Sequence, residues 1–119
     1  MHTGQTQDIT PADLPEVITR YLDAHRARDT ATALATFRSG AEVTDDGSTH
    51  RGAQAIETWL NHAAGEYTYT IEPTGARKAD EERYVVTQHL EGDFPGGVVD
   101  LFYRFTLGGG LIENLVIEP

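Results

Sequence analysis

Two consecutive carboxylates, Asp45 and Asp46, are the residues whose position in this chain best suits chemistry. They follow the short strand-like segment 41–44 and precede Gly47. Successive side chains of a strand point to opposite faces, so one of the two carboxylates should face the interior. A carboxylate at the mouth of an apolar cavity can act as a general base. The alternative is a solvated strand end that leads into an Asp-Gly turn.

Other residue types argue against several kinds of site. The five histidines show no ligand spacing such as His-x-x-x-His, so no metal is predicted. Glycines 96–97 and 108–110 fall between predicted strands, which is typical of turns and not of phosphate-binding loops. The chain has no cysteine, which excludes thiol chemistry and disulfides, and no Gly-x-Ser-x-Gly signature. We therefore expect neither a metal nor a cofactor.

Length and charge limit the organisation and the partners. A chain of 119 residues is long enough for one domain, predicted over 10–119 after a flexible tail at 1–9. The formal net charge of -10 disfavours nucleic acids and anionic membranes as partners. No apolar run approaches the ~20 residues that span a bilayer, and residues 1–8 lack a signal-peptide segment. A cytoplasmic location is the expectation.

The N-terminal half has helical periodicity. From Leu14 to His25, apolar positions recur at i, i+3 and i+4, with Asp13 as a candidate cap and Pro15 in the first turn. Asp29 is a candidate cap of a second, shorter helix that stops near Gly40. A third helix is predicted over 53–63, burying Ile56, Trp59 and Leu60.

From Glu66 onward the period changes to two, which predicts strands. The predicted strands begin at Tyr67 and then cover 83–94, 98–107 and 111–118. Helices followed by a meander of strands predict an α+β domain, with N-terminal helices packed on an antiparallel sheet.

In the order of its elements the chain resembles SnoaL-like members of the nuclear transport factor 2-like superfamily. The matching segments are the helix 18–22 with its break at 28–30, residues 34–45, the helix start 51–56 and the strand segment 103–105. The resemblance implies a cone-shaped α+β fold in which a curved sheet encloses a pocket. It also implies a small apolar ligand and a homodimer formed through the outer face of the sheet.

Within that superfamily the chain is also similar to ketosteroid isomerases, and this resemblance implies roles for individual residues. It implies that Asp45 is the base, that Tyr21 donates a hydrogen bond to the oxyanion and that Trp59 lines the pocket. The family's third catalytic position, an acid that serves as a second oxyanion donor, falls on Leu101. The oxyanion site is therefore incomplete, which disfavours steroid isomerisation and leaves cyclase chemistry of the SnoaL type compatible.

Strand alternation extends the predicted pocket wall. If Leu101 faces the pocket, every second residue of its strand does so too, together with the residues paired with them on the neighbouring strand, and His89 faces out. The predicted substrate-binding residues are Trp59, Tyr84, Val86, Gln88, Leu101, Tyr103, Phe105 and, on the last strand, Asn114. Gln88 has an equally good interpretation as a hydrogen-bonded core residue.

Two functions are consistent with this pattern. The first is a cofactor-independent isomerase, cyclase or dehydratase, in which Asp45 removes a proton beside a carbonyl and Tyr21 stabilises the enolate. The alternative is a non-catalytic, dimeric ligand-binding or interaction module of the same fold, since one fold serves many functions.

Overall fold

The computed structural model of the protein describes residues 7–66 and 68–119, and it describes no side chains for residues 63–66. The predicted strand start at Tyr67 therefore lies outside the described residues, as do residues 1–6 of the predicted tail. The described helices are α1 (Glu16–Arg26), α2 (Thr30–Ala35) and α3 (Ala53–Glu66). The described strands are β1 (Gln7–Ile9), β2 (Phe37–Asp45), β3 (Ser48–Arg51), β4 (Tyr69–Asp80), β5 (Arg83–Gly92), β6 (Val98–Gly108) and β7 (Leu111–Glu118).

The strands form one curved sheet in the order β1-β4-β5-β6-β7-β2-β3. Neighbouring strands are antiparallel except at one place, where β2 runs parallel to β7. The sequence patterns predict a purely antiparallel sheet. They do not indicate the parallel pairing of β2 with β7, because these strands are separated by most of the chain. The α+β, cone-like architecture itself is confirmed. No helix of the described chain is long and apolar enough to cross a membrane.

The start of the domain differs from the prediction in two ways. Residues 7–9 are not tail, since they pair with β4 as strand β1. Asp13 does not cap α1: its carboxylate accepts from the backbone N–H and the hydroxyl of Thr10, closing a one-turn 3-10 helix over Pro11–Asp13. Pro15 then occupies the N-cap of α1, where its missing N–H costs nothing.

The second helix is capped as predicted but ends earlier. The Asp29 carboxylate accepts from the backbone N–H of Thr32 at 3.1 Å. Helix α2 ends at Ala35, and Gly40, predicted to stop it, lies instead within β2 at an irregularity in the pairing with β7. Its φ of +79° explains the glycine, because other residues rarely adopt that conformation.

The inner face of the sheet packs on the helices and forms the core. On β5 the side chains of Tyr84, Val86, Gln88 and Leu90 are buried and alternate with more exposed ones, as predicted. The same alternation fails on β7, where Leu115 is fully buried and Asn114 is not. The cause is a register shift at Thr106/Leu107, which moves Asn114 off the inner face.

Candidate active site

A tight hairpin decides which of the two carboxylates faces inward. Asp45 is the last residue of β2 and pairs with Ser48, so Asp46 and Gly47 form a two-residue turn. Both turn residues have positive φ, +52° and +79°, which defines a type I′ turn and suits Asp-Gly. Asp46 is exposed, whereas Asp45 continues the inward row of Ala41 and Val43. The sequence prediction of Asp45 as the inward carboxylate is consistent with this geometry.

Asp45 lies on the wall of a cavity of about 260 Å³ between the inner face of the sheet and helices α1 and α3. Most of its lining is apolar or aromatic. The lining residues are His25, Asp45, Trp59, Tyr69, Leu90, Phe94, Val99, Leu101, Tyr103 and Ile117. The cavity therefore places one carboxylate among mostly apolar and aromatic side chains.

The indole of Trp59 orients the carboxylate. Its Nε1–H donates to Oδ2 of Asp45 at 3.0 Å, and the His50 ring stacks on the indole with centroids 6.2 Å apart. Among the described residues no other donor reaches Asp45, so Oδ1 keeps its lone pairs for a ligand. The indole is neutral, so it orients the carboxylate without forming an ion pair with it.

Three further polar side chains line the cavity, and all three are uncharged at neutral pH. Burial, and secondly the charge of Arg28, lower the pKa of His25 to about 4. Burial raises the pKa of Tyr69, although the charge of Arg28 opposes it, and burial raises the pKa of Tyr103 far above its ordinary value. The Tyr69 hydroxyl lies 3.4 Å from Nε2 of His25. The cavity thus offers neutral hydrogen-bonding groups opposite one carboxylate.

Tyr21 does not line this cavity, contrary to the prediction. It is fully buried, its ring meets Phe37 and Phe105 edge-on, and its hydroxyl has no hydrogen-bond partner among the described residues. His25, one turn further along α1, stacks on Tyr21 and takes the place on the cavity wall. Both side chains share the apolar face of the helix, and the sequence does not distinguish the one that reaches the cavity.

The remaining predicted residues divide into three groups. Trp59, Leu101 and Tyr103 lie on the cavity wall. Tyr84, Val86, Gln88 and Phe105 face inward but are packed in the core away from the wall, and Nε2 of Gln88 has no partner in the described chain. Asn114 lines a separate depression beside Arg38 and Glu113, so its placement in the pocket was wrong.

His89 lies on the outer face of the sheet, as its register predicts. Its Nδ1 is 2.7 Å from Oδ1 of Asp100, and its Nε2 is 2.7 Å from Oε2 of Glu91. Hydrogen bonds to Asp100 and then to Glu91 raise the pKa of His89. Within the part of the chain that the structure describes, no group of three His, Cys, Asp or Glu side chains is arranged to hold a metal ion.

Sequence reasoning missed two polar residues of the wall, His25 and Tyr69. Each carried a signal: His25 continues the apolar face of α1, and Tyr69 is an inward position of an alternating strand. A histidine in a row of buried positions is compatible with simple packing, so its spacing alone does not reveal a cavity.

Comparison with known proteins shows the family of the chain. No protein-family model matches the sequence, and no curated protein matches it. Among solved structures, a "putative polyketide cyclase" from Sinorhizobium meliloti is 34% identical, covers 92% of this chain and 100% of its own, and superposes with a TM-score of 0.86.

Two more distant structures share the fold. A protein of ketosteroid isomerase-like fold from Catenulispora acidiphila, in complex with trimethylamine, is 16% identical, with coverage of 93% and 87% and a TM-score of 0.77. RV0760c from Mycobacterium tuberculosis, in complex with estradiol-17beta-hemisuccinate, is 16% identical, with coverage of 87% and 90% and a TM-score of 0.73. The element order and the similarity to the Sinorhizobium meliloti structure together show that the chain belongs to the SnoaL-like members of the nuclear transport factor 2-like superfamily.

Proposed function

We propose that this protein is a cofactor-independent enzyme of the cyclase or isomerase type, with Asp45 as the general base acting on a small carbonyl compound. One observation carries the proposal: a carboxylate with one free oxygen on the wall of an apolar cavity, oriented by Trp59 at 3.0 Å. Most of the wall is apolar or aromatic, so a bound carbon acid can lie directly beside the free oxygen, as proton removal by a general base requires.

The reaction step is removal of a proton from the carbon next to a carbonyl. The C–H electron pair moves into the new carbon–carbon double bond, the proton goes to Oδ1 of Asp45, and the carbonyl oxygen becomes an enolate oxygen. That oxygen needs a donor, and Tyr69 and Tyr103 are the hydroxyls on the wall that stay protonated because burial raises their pKa. A ligand whose negative charge spreads over several carbonyls needs fewer donors, which favours a cyclase-type substrate over a simple ketone.

Small-molecule binding has independent support from the fold. The Catenulispora and Mycobacterium neighbours hold trimethylamine and estradiol-17beta-hemisuccinate, respectively. The cavity of about 260 Å³ is slightly smaller than the roughly 300–1,000 Å³ typical of ligand sites. We infer a ligand of one or two rings that buries most of its apolar surface.

Exchange of carbon-bound hydrogen for deuterium tests the proposal without knowledge of the natural product. The probe is 2-tetralone, a small bicyclic ketone, incubated with the protein in D2O and followed by proton NMR. The protein should accelerate loss of the signals beside the carbonyl, and Asp45→Asn should remove the acceleration. Asp46→Asn is the matched control, since it changes the adjacent carboxylate in the exposed turn.

Binding and catalysis separate in the same experiment. Chemical-shift changes of cavity residues without accelerated exchange would favour the non-catalytic ligand-binding module. Acceleration that survives Asp45→Asn would overturn the assignment of the base.

We further propose a homodimer formed through the outer face of the sheet. On β6 the outward side chains of Val98 and Phe102 are 58% and 37% exposed, the large apolar side chains that the described chain leaves in water. A two-fold symmetric contact would cover them. Light scattering should give twice the chain mass of 13.0 kDa, and Phe102→Glu should reduce it to that mass.

A further inference from the structure

His25 and Tyr69 form a polar pair on the wall of the Asp45 cavity, and the proton transfer proposed above uses only the tyrosine. Nε2 of His25 lies 3.4 Å from the Tyr69 hydroxyl. That distance is long for a hydrogen bond, but hydrogen bonds between catalytic groups often shorten when substrate binds. The imidazole is therefore in a position to act on a substrate through that hydroxyl.

The ring of His25 is held against two aromatic side chains. It stacks on Tyr21 with centroids 5.7 Å apart and planes inclined by 16°, and its centroid lies 6.4 Å from that of Tyr103. Burial is the main reason that the pKa of His25 is lowered to about 4, so the imidazole is neutral at neutral pH. A neutral imidazole has one N–H donor and one acceptor nitrogen, and its two tautomers exchange these roles. Nε2 can therefore either accept a hydrogen bond from Tyr69 or donate one to it.

Tyr69 is anchored by the backbone around it. It is the first residue of β4 and pairs with Gly92 on β5. A Cβ at position 92 would lie 2.5 Å from the Cβ of Tyr69, so the close approach of the two strands requires glycine. The preceding residue, Thr68, donates its N–H to Oδ1 of Asp93 at 2.9 Å and accepts from the N–H of Asp93 at 3.1 Å. The phenol ring is therefore carried by a well-anchored strand end.

Of the two phenols on the cavity wall, Tyr69 is the better donor to a developing negative charge. Burial raises the pKa of Tyr69, but the positive charge of Arg28, whose Cζ lies 5.7 Å from the centre of the ring, opposes that rise. At Tyr103, burial raises the pKa far above its ordinary value, and the neighbouring Tyr69 and Asp45 raise it further. Since a more acidic hydroxyl donates a stronger hydrogen bond to an anion, we expect the enolate oxygen to lie at Tyr69.

The Tyr69 hydroxyl has one proton, so its two partners compete for it. If the hydroxyl donates to His25, that proton is lost to the substrate. If Nε2 of His25 instead donates to the tyrosine oxygen, the tyrosine proton is directed to the enolate, and each hydrogen bond in such a chain strengthens the next. The tautomer of His25 therefore decides whether Tyr69 can serve the reaction.

We propose that His25 is a positioning residue for Tyr69: its Nε2–H donates to the Tyr69 oxygen and directs the Tyr69 proton to the enolate oxygen. The inference rests on the proposed function in taking the substrate to form an enolate. The donor to the oxyanion then comes from β4, supported by α1, and not from the position of Leu101 on β6, which has no polar atom to offer.

Binding of an enolate analogue tests the pair without requiring turnover. The probe is 2-naphthol, whose ionised form resembles the enolate of 2-tetralone. The host protein is Asp45→Asn, because its side chain is neutral, as the carboxyl group is once it holds the proton. With protein in excess, the absorbance of bound 2-naphthol reports its ionised fraction as the pH is varied. In this host, His25→Phe should lower the ionisation constant of the bound probe about fivefold, the equivalent of one neutral hydrogen bond.

A double-variant cycle separates a role through Tyr69 from general packing. His25→Phe keeps an aromatic ring against Tyr21 and removes both nitrogens. Its effect should disappear when Tyr69→Phe is already present, and it should persist when Tyr103→Phe is present instead. His25→Gln carries an amide N–H donor of similar reach and should restore most of the host's ionisation constant.

Nitrogen-15 NMR reads the tautomer directly and needs no change at His25. With the imidazole labelled and 2-naphthol bound, the proton should lie on Nε2. A proton on Nδ1 in that complex would overturn the proposal, as would an effect of His25→Phe that is equal with and without the Tyr69 hydroxyl. Failure of 2-naphthol to bind in the cavity would overturn it too.

The outcome is separable from that of the proposed function, because the ionisation of bound 2-naphthol is measured without the Asp45 carboxylate. Accelerated deuterium exchange in the native protein, together with an ionisation constant that His25→Phe leaves unchanged, would remove the role of His25 alone. The predicted effect of His25→Phe on the bound probe, without deuterium exchange in the native protein, would remove the catalytic assignment of Asp45 alone.

Discussion

Two histidines on opposite sides of the sheet show how far surroundings decide what a residue can do. His25 lies on the cavity wall, stacked on Tyr21, and its pKa is lowered to about 4. His89 lies on the outer face between Asp100 and Glu91, and its pKa is raised. The outer group has the composition expected of an acid–base site, but it lies on the outer face of the sheet, away from the cavity that Asp45 lines.

The two groups differ in their access to a cavity and not in the number of titratable side chains. On the inner side, one carboxylate and one neutral imidazole line the same cavity. On the outer side, two carboxylates are hydrogen-bonded to one histidine. Strand β5 repeats the contrast at adjacent positions, since Gln88 is buried and His89 is directed outward.

The largest expected effect is on catalysis and concerns the inner side. Asp45→Asn should slow deuterium exchange of a bound ketone by about 10²–10⁴-fold, the usual contribution of a positioned base. His89→Gln should leave the rate unchanged, because its cluster has no access to the cavity. A fall in rate with His89→Gln of more than a few-fold would contradict the division between the two faces.

The next effect is the acid sensitivity that His25 confers on stability. Because its pKa is about 4 in the folded protein and 6.5 in the unfolded chain, the unfolded chain takes up the proton first as the pH falls. Stability is thus lost between pH 6.5 and 4, by about 3 kcal/mol. Urea unfolding at pH 7 and pH 4 should show a smaller acid loss in His25→Phe, by about that amount. Parallel pH curves for the two proteins would refute the buried, neutral histidine.

A smaller effect is expected at Gln88. Its Nε2 is buried without a partner in the described chain, and such a donor costs free energy. Gln88→Met has a similar shape and removes the donor, so it should raise the free energy of unfolding by about 1 kcal/mol. Thr87→Val, on the outer face of the same strand, should change stability little. A loss of stability in Gln88→Met would instead indicate that the amide is satisfied by water or by a ligand.

The smallest effect, and one of opposite sign to that of His25, belongs to His89. Its raised pKa means that its stabilising contribution is complete below about pH 6.5 and is lost as the pH rises through the folded-state pKa. The stability advantage of the native protein over His89→Gln should therefore be greater at pH 5.5 than at pH 8.5. An advantage that grows with pH would mean that the carboxylates of Asp100 and Glu91 do not hold the imidazolium.

Local patterns in the sequence predicted much of this structure. The period-two alternation of β5 identified Tyr84, Val86, Gln88 and Leu90 as inward, and the Asp-Gly pair marked the turn that separates Asp45 from Asp46. These features depend on a residue and its near neighbours in the chain. The family resemblance supplied the rest of the architecture.

The failures occurred where distant segments decide the outcome. Asn114 was misplaced because the pairing of β6 with β7 shifts between Thr106 and Leu107, where β7 carries one extra residue that reverses its alternation. Tyr21 and His25 occupy the same face of α1, and the distance from that helix to the sheet determines which one meets the cavity.

The parallel pairing of β2 with β7 has a consequence for how the protein is made. The strand that ends in Asp45 is held along one edge by residues 114–117, which a ribosome produces about seventy residues later. Until then β2 can form only its hairpin with β3, and contacts between such distant segments are costly to close. During translation, the segment that ends in Asp45 therefore gains its parallel neighbour only after β7 has been synthesised.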